Sequence, residues 1–457
     1  MDDTRTLLTH PEPPSTITFP FFQALGEKPK GPLEKALSLF ADVRAGEAFG
    51  ALLLAANVFL LLTGYLILKV SREPLILTQG GAEVKAYASA GQALLLLLAV
   101  PLYGWFGTKV NRLRLVVGLE LFFASNLILF AFLGHSGLRI AVPYYIWVGI
   151  FSLFVISQFW AFANDLYTEG QGRRLFPLVG VGSSLGAVAG ARAAAVLART
   201  YHLTPYALML VCTALLLISI LITVAVSRRE SLGEEEGAKR RREGRLGAEG
   251  GFQLLLRDRY LFWIAALTIL LNVVNTSGEY LLSKLLELNS MELFGDIVER
   301  QRFITGFVGD YLTWTNGLGL FCQLFVVSRV IRYAGIRGSL FVLPSIAMIS
   351  YSCFAFVPML AVIRFFKVLE NSTDYSLQNT LRQALWLPTS REAKYKAKAA
   401  VDTFCTRFGD VVAAAAIFGV KGLGFGLPVV AGLSVGLTIF WLWVATRIAK
   451  EHRRRTV

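Results

Sequence analysis

Arg364, Lys367, Asn371, Asp374, Gln378 and Arg382 follow one another at intervals of 3, 4, 3, 4 and 4 residues inside a largely apolar run, 359–385. On a helix those intervals place all six side chains along one face. A charged group held in mid-membrane costs roughly 2.5–3.5 kcal/mol unless it faces water or a partner, so the stripe must line a wet path or pair with another helix. Similar groups recur elsewhere. Lys398, Asp402, Thr406 and Asp410 follow at intervals of four with Arg407 beside them, and Glu279 comes after Asn272, Asn275 and Ser277 with Lys284 just beyond. Lys69, Arg72 and Glu73 end the first apolar run, and Gln158, Asn164 and Asp165 end the fourth, ahead of Arg173 and Arg174.

The chemistry on offer is electrostatic. Arg72, Lys284, Arg364, Lys367 and Arg382 predict a cavity of fixed positive charge, and guanidinium groups bind phosphate or carboxylate through paired hydrogen bonds. An anionic solute is therefore expected. Glu279 and Asp374 would hold these cations in place or carry a coupling proton. Glu73, Asp402, Arg407 and Asp410 read as gating or ion-pair groups, for which locking helices together and serving the pathway both stay open. Asp165 with Arg173 and Arg174 reads as a cytoplasmic latch.

These residues sit in a chain of 457 that is 55% hydrophobic and 17% charged, with a mean hydropathy of +0.56, too apolar for a soluble domain. Cys212, Cys322, Cys353 and Cys405 fall singly in apolar stretches, and His10, His135, His202 and His452 are scattered, which argues against a disulfide framework, a metal centre or a nucleophilic enzyme site. No cofactor is expected. The net charge of +14 is read as loop lysine and arginine facing the cytoplasm, not as a nucleic-acid surface.

Twelve apolar segments, at roughly 47–70, 84–106, 114–134, 140–164, 175–198, 205–226, 259–284, 307–331, 338–358, 359–385, 397–420 and 425–447, are each long enough to span a bilayer. The expected fold is all-α and major facilitator-like, with two six-helix pseudo-repeats at 46–226 and 258–448, a charged linker at 227–257, an N-terminal tail at 1–45 and a basic tail at 449–457. A short helix at 33–43 would lie on the membrane surface. Alternate loops are rich in Lys and Arg, which predicts both ends in the cytoplasm of a multi-pass membrane protein. Gly182, Gly186 and Gly190, four residues apart, predict close helix packing in place of a phosphate loop.

The run FWAFANDLYTEGQGRRLFPLVGVGSSLGA from Phe159, and DYSLQNTLRQALWLPTSREAKYKAKAAVDTF from Asp374, resemble the ATP/ADP translocases of plastids and intracellular bacteria, a family related to the major facilitators. The likeness covers about residues 50–447 and is most specific from Pro388 to Asp402. The resemblance implies exchange of nucleotides by alternating access in a bacterial inner membrane, by a chain functional as a monomer. By motif it implies a basic substrate residue at Arg72 in SREPLIL, an acidic one at Glu279 in SGEYLLSK, and a further basic one at Lys396 or Lys398. The chain departs from the family in YYIWVGIFSLF from Tyr144, where no acid appears. That departure leaves room for proton-coupled movement of another phosphorylated or organic anion, and a non-transporting membrane scaffold is the remaining alternative.

Overall fold

The computed structural model describes residues 31–32, 43–44, 46–107, 112–230, 251–390 and 393–456. Residues 33–42 of the expected surface helix and the middle of the charged linker lie outside them. The described residues are helical, joined by short turns. In chain order the helices are α1 (Ala48–Gln79), α2 (Gly81–Gly107), α3 (Arg112–His135), α4 (Ala141–Leu166), α5 (Glu169–Arg199) and α6 (Pro205–Glu230). After the linker come the short α7 (Gly251–Arg257), α8 (Arg259–Leu293), α9 (Ile297–Phe321), α10 (Val327–Ser339), α11 (Val342–Phe356), α12 (Leu360–Thr373), α13 (Asn379–Leu385), α14 (Lys398–Ala400), α15 (Thr406–Gly422) and α16 (Leu427–Thr456).

Nine helical stretches among the described residues are long and apolar enough to cross a membrane. The 26 residues of α4, at 1.5 Å each, reach about 39 Å, more than the roughly 30 Å of bilayer hydrocarbon. Among the nine, α3 carries Phe132 and α6 carries Leu221 exposed on their outer faces, as lipid contact requires. Starts are fixed by polar caps: the Thr168 side chain accepts from Gln171 N–H in a capping box at α5, and Asp258 and Asp296 cap α8 and α9.

The helices outrun the apolar segments that predict them. α1 continues through Pro74 to Gln79, so Arg72 and Glu73 lie within a continuous helix. α8 continues to Leu293 and α9 begins at Ile297, which turns most of the expected loop at 285–306 into helix. The polar stripe is not one regular helix, because π-helical turns interrupt it at Asp374–Gln378 and its successor at Ala393–Ala397 and Val401–Cys405. A wider turn advances the chain by less angle per residue, so positions beyond it rotate off the original face.

α1 packs on α4, α5 and α6, while α5 also packs on α9, and α8 on α15 and α16. A Cβ added at Gly182, Gly186 or Gly190 would meet the backbone of Ala55, Phe59 or Thr63 in α1. Only hydrogen at those three positions lets α1 and α5 approach so closely, and Thr63 Oγ1 donates to Gly186 O at 3.3 Å. The same device recurs where Gly309 of α9 meets Ala191 and Ala195 of α5.

Candidate functional site

A cavity of about 230 Å³ lies where α1, α2, α4, α8, α9, α12 and α15 meet. α1 brings Lys69, Arg72 and Glu73 to it at helical spacing. α2 brings Lys85, Ser89 and Gln92, and α4 brings Tyr145. From the other side come Asn275, Thr276, Glu279, Tyr280 and Ser283 of α8, Tyr311 of α9, Asn371 of α12, Tyr375 of the first π-turn and Asp410 of α15.

The charged lining is balanced by count, with Lys69, Arg72 and Lys85 against Glu73, Glu279 and Asp410, but not by free hydrogen-bonding capacity. Each carboxylate is already engaged. Glu73 accepts from Lys85 at 2.6 Å and stands 3.5 Å from Arg72 Nε. Glu279 accepts from Asn371 at 2.9 Å and Tyr311 at 3.0 Å, and Asp410 accepts from Thr276 at 2.9 Å and pairs with Arg407 at 3.6 Å. Among the described residues Lys69 has no carboxylate within ion-pair distance, and Arg72 Nε has no hydrogen-bond partner. The Arg72 guanidinium lies 4.1 Å from the Tyr145 ring centroid. The open valences of the site are therefore cationic donors, set among tyrosine rings.

Behind Glu279 sits a second layer. Lys367, with none of its surface exposed, donates to Glu370 and Asn275 at 3.1 Å each and stands 3.9 Å from Glu279. Tyr351 donates to Val274 O at 2.9 Å and reaches Glu370 at 3.1 Å. On one flank the ends of α1, α2, α8 and α15 converge. Gly81, at φ +79°, lets α1 turn directly into α2, and Ala82 N–H donates to Glu287 at 2.9 Å. Lys284 bridges Glu83 at 3.0 Å and Glu287 at 3.2 Å, Lys421 reaches Glu83 at 3.4 Å, and Lys85 donates to Ser283 at 2.8 Å. Nearby, Asp310 of α9 accepts from Arg192 at 3.0 Å and Arg199 at 2.5 Å, both on α5.

The structure thus brings Arg72, Glu73, Glu279, Asn371 and Asp410 together at the cavity, with Lys367 behind it and Lys284 in the flanking cluster. Arg364 goes elsewhere. It lies over the Phe307 ring at 5.2 Å and lines a separate lateral groove. Asp374 Oδ1 and Arg382 Nε are buried without hydrogen-bond partners among the described residues, beyond the cavity lining. Asp402 and Arg407 line a smaller pocket with Phe154 and Ser157, and Lys398 donates to Gln383 at 2.6 Å. Lys396 lies in the π-turn Ala393–Ala397 and Arg173 in α5, with side chains outside those described. Asp165 stands exposed at the end of α4. Arg174 grips Glu47, at the start of α1, through two bonds of 2.9 and 2.8 Å. Although partial burial pushes the Glu47 carboxyl up, Arg174 and the Arg44 N–H hold it below the usual glutamate value.

Several of these residues carry little sequence signal. Glu83 and Lys85 sit where an apolar segment begins, Glu287 falls in an expected loop, and Glu370 lies off the counted stripe. Spacing could have found one: Lys69, Arg72 and Glu73 share a helix face. Glu120, 3% exposed inside α3, is a carboxyl in mid-segment that composition alone flags.

A sequence model described as the TLC ATP/ADP transporter matches residues 141–452. The chain is 23% identical over 340 residues to ADP,ATP carrier protein 1 of Chlamydia pneumoniae, covering 65% of this chain and 64% of that protein. It is 25% identical over 349 residues to ADP,ATP carrier protein 4 of Rickettsia conorii, again 65% and 64%. The match thus spans less than two thirds of these relatives' length. Among solved structures, a bacterial homologue of the iron transporter ferroportin in an inward-facing state superposes with a TM-score of 0.64 at 15% identity, covering 88% of this chain and 98% of that one. The nucleoside transporter NupG superposes with a TM-score of 0.62 at 14% identity, covering 86% and 98%. These likenesses show that the chain shares the all-helical fold of these two transporters.

Proposed function

Because this multi-pass membrane chain belongs to the TLC ATP/ADP transporter family, we propose that it exchanges nucleotides across a membrane by alternating access, without covalent chemistry. The observation that carries the reading is the cavity's imbalance of open valences: its carboxylates are engaged while Lys69 and Arg72 still offer donors. A polyphosphate would take those donors, and a base would meet the ring of Tyr145, Tyr280, Tyr311 or Tyr375. Glu279 holds Asn371 and Tyr311 in place and compensates Lys367. Lys367, Lys284, Asp374, Arg382 and Lys396 or Lys398 would act on substrate only in conformations that open the cavity toward them. At about 230 Å³ the space is smaller than the roughly 300–1,000 Å³ usual for ligand pockets, in keeping with a narrowed state.

In this reading the chain crosses the membrane twelve times, in six-helix halves at 46–226 and 258–448 that rock about the cavity. Basic loops favour both ends in the cytoplasm, and the bacterial relatives favour a bacterial inner membrane. The chain would work as a monomer. The cluster of Glu83, Lys284, Glu287 and Lys421, with Asp310 against Arg192 and Arg199, then closes the external side. Glu73, Asp402 and Arg407 would re-pair as the halves rock.

The absence of an acid in the stretch from Tyr144 favours a second reading, proton-coupled transport of another phosphorylated or organic anion, with Glu279 or Asp374 carrying the proton. A thermal-shift screen of the purified protein against ADP, ATP, sugar phosphates and dicarboxylates separates the two. Nucleotides should stabilise it, and Lys69→Gln or Arg72→Gln should weaken that binding about 10- to 100-fold, the worth of one charged hydrogen bond. A nucleotide shift unchanged in both variants rejects the site. Stabilisation by sugar phosphates or dicarboxylates alone favours the second reading, and none by any anion rejects both.

A further inference from the structure

The cation at the start of the stripe, Arg364, lies outside the cavity and points to a different ligand. Arg364 opens into a lateral groove of about 1260 Å³ whose other walls are almost wholly apolar: Phe307, Trp314, Leu318 and Phe321 of α9, Phe365 of α12, and Val188 of α5. Trp314 and Phe365 are each 65% exposed, so the groove opens onto the hydrocarbon. Arg364 has no carboxylate within ion-pair distance among the described residues, its guanidinium resting on Phe307 at 5.2 Å.

Three polar residues line the groove, Arg364, Asn289 and Thr313; Thr313 Oγ1 donates to Gly309 O at 2.7 Å and Asn289 Nδ2 to Leu285 O at 3.0 Å, which leaves Arg364 as its charged group. Arg364 lies four residues into α12 and Asn289 four residues from the end of α8, each about 6 Å along its axis and within reach of the interface for a side chain that extends toward water. From there the floor runs down α9 from Phe307 to Phe321, about 21 Å, deeper than the roughly 15 Å of a single hydrocarbon leaflet. A cation near the interface, uncompensated, above a long apolar trough has the polarity profile of an amphiphile with a negative head.

We propose that this groove binds one anionic phospholipid, its headgroup phosphate on Arg364 and Asn289 and an acyl chain along Phe307, Trp314 and Phe321. A zwitterionic lipid brings its own cation and gains less from an uncompensated guanidinium. The trough touches α5, α9 and α12, so an occupying lipid lies across the α5–α9 contact. The inference does not depend on which solute the central cavity carries.

The test is native mass spectrometry and thermal unfolding of the full chain with phosphatidylglycerol or phosphatidylcholine of matched acyl chains. One phosphatidylglycerol should be retained under conditions that strip phosphatidylcholine, with at least a tenfold preference. Arg364→Gln should abolish the preference and Arg364→Lys should keep part of it. Leu318→Trp, which fills the trough floor, should weaken retention of both lipids while the cation stays. Equal retention of the two lipids, an undiminished preference in Arg364→Gln, or equal protection by inorganic phosphate would overturn the proposal. So would a dimer whose formation displaces the lipid, which would assign the groove to a second copy.

Discussion

Lys367 is wholly buried in the membrane domain beside two carboxylates, Glu370 and Glu279, and its removal should be one of the most damaging single changes in the chain. At an effective dielectric near 20, an ion pair at the Glu370 distance of 3.1 Å attracts by about 5 kcal/mol, and one at the Glu279 distance of 3.9 Å by about 4 kcal/mol, before desolvation is counted. Breaking one partner of such a buried pair typically destabilises by about 3–5 kcal/mol. Lys367→Met should fall in that range, because it leaves Glu370 without a cation. Glu370→Gln should fall at its lower end, since Glu279 remains to compensate the ammonium. Lys367→Met/Glu370→Gln should regain much of the loss, giving a coupling energy of at least about 2 kcal/mol. Reversible unfolding in detergent–SDS mixtures measures all three. Strictly additive losses, with coupling below about 0.5 kcal/mol, would refute the reasoning.

Gly186→Leu should push α1 off α5, because the new side chain meets the Phe59 backbone; about 1–3 kcal/mol of destabilisation is expected, with Gly170→Ala, in open space, as the near-silent control. The Glu47–Arg174 pair should show in pH dependence. A carboxyl held below its ordinary value stabilises the fold above that value and loses its contribution as pH falls through its lowered one. Thermal unfolding from pH 7 down to pH 3 should therefore separate wild type from Arg174→Gln at neutral pH and bring them together in acid; a constant gap would contradict the pairing. Asp310→Asn should loosen the α5–α9 contact by about 1 kcal/mol, since both arginines are partly exposed, roughly a fivefold population shift. Faster labelling of a Ser89→Cys variant by a water-soluble thiol reagent would register it, and an unchanged rate would count against a gate there.

Much of the architecture was legible because hydrophobicity and length have few solutions in a bilayer. The glycine ladder of α5 announces its contact, and only the partner, α1, had to come from the structure. Charge spacing was a weaker guide to the site. The stripe on 359–385 assumes one regular helix, but the π-turn at Asp374–Gln378 shifts its far half. Arg364 lies at one edge of the arc, and its guanidinium lines the lateral groove. Of the cations that line the cavity, Arg72 was expected there, while Lys69 and Lys85 sit near segment ends where a charge looks ordinary. The expected basic lining is correspondingly a balanced one, positive only in its open donors. Ion pairs such as Glu83 with Lys284, 201 residues apart in the chain, leave no local trace at all.

The central claim, that Lys69 and Arg72 offer their charge to a phosphorylated solute exchanged across the membrane, is tested most directly in proteoliposomes. Labelled ADP should enter vesicles preloaded with ATP much faster than empty ones, and Lys69→Gln and Arg72→Gln should each suppress that uptake about 10- to 100-fold. Uptake equally fast into empty vesicles, or exchange untouched by both substitutions, would contradict it.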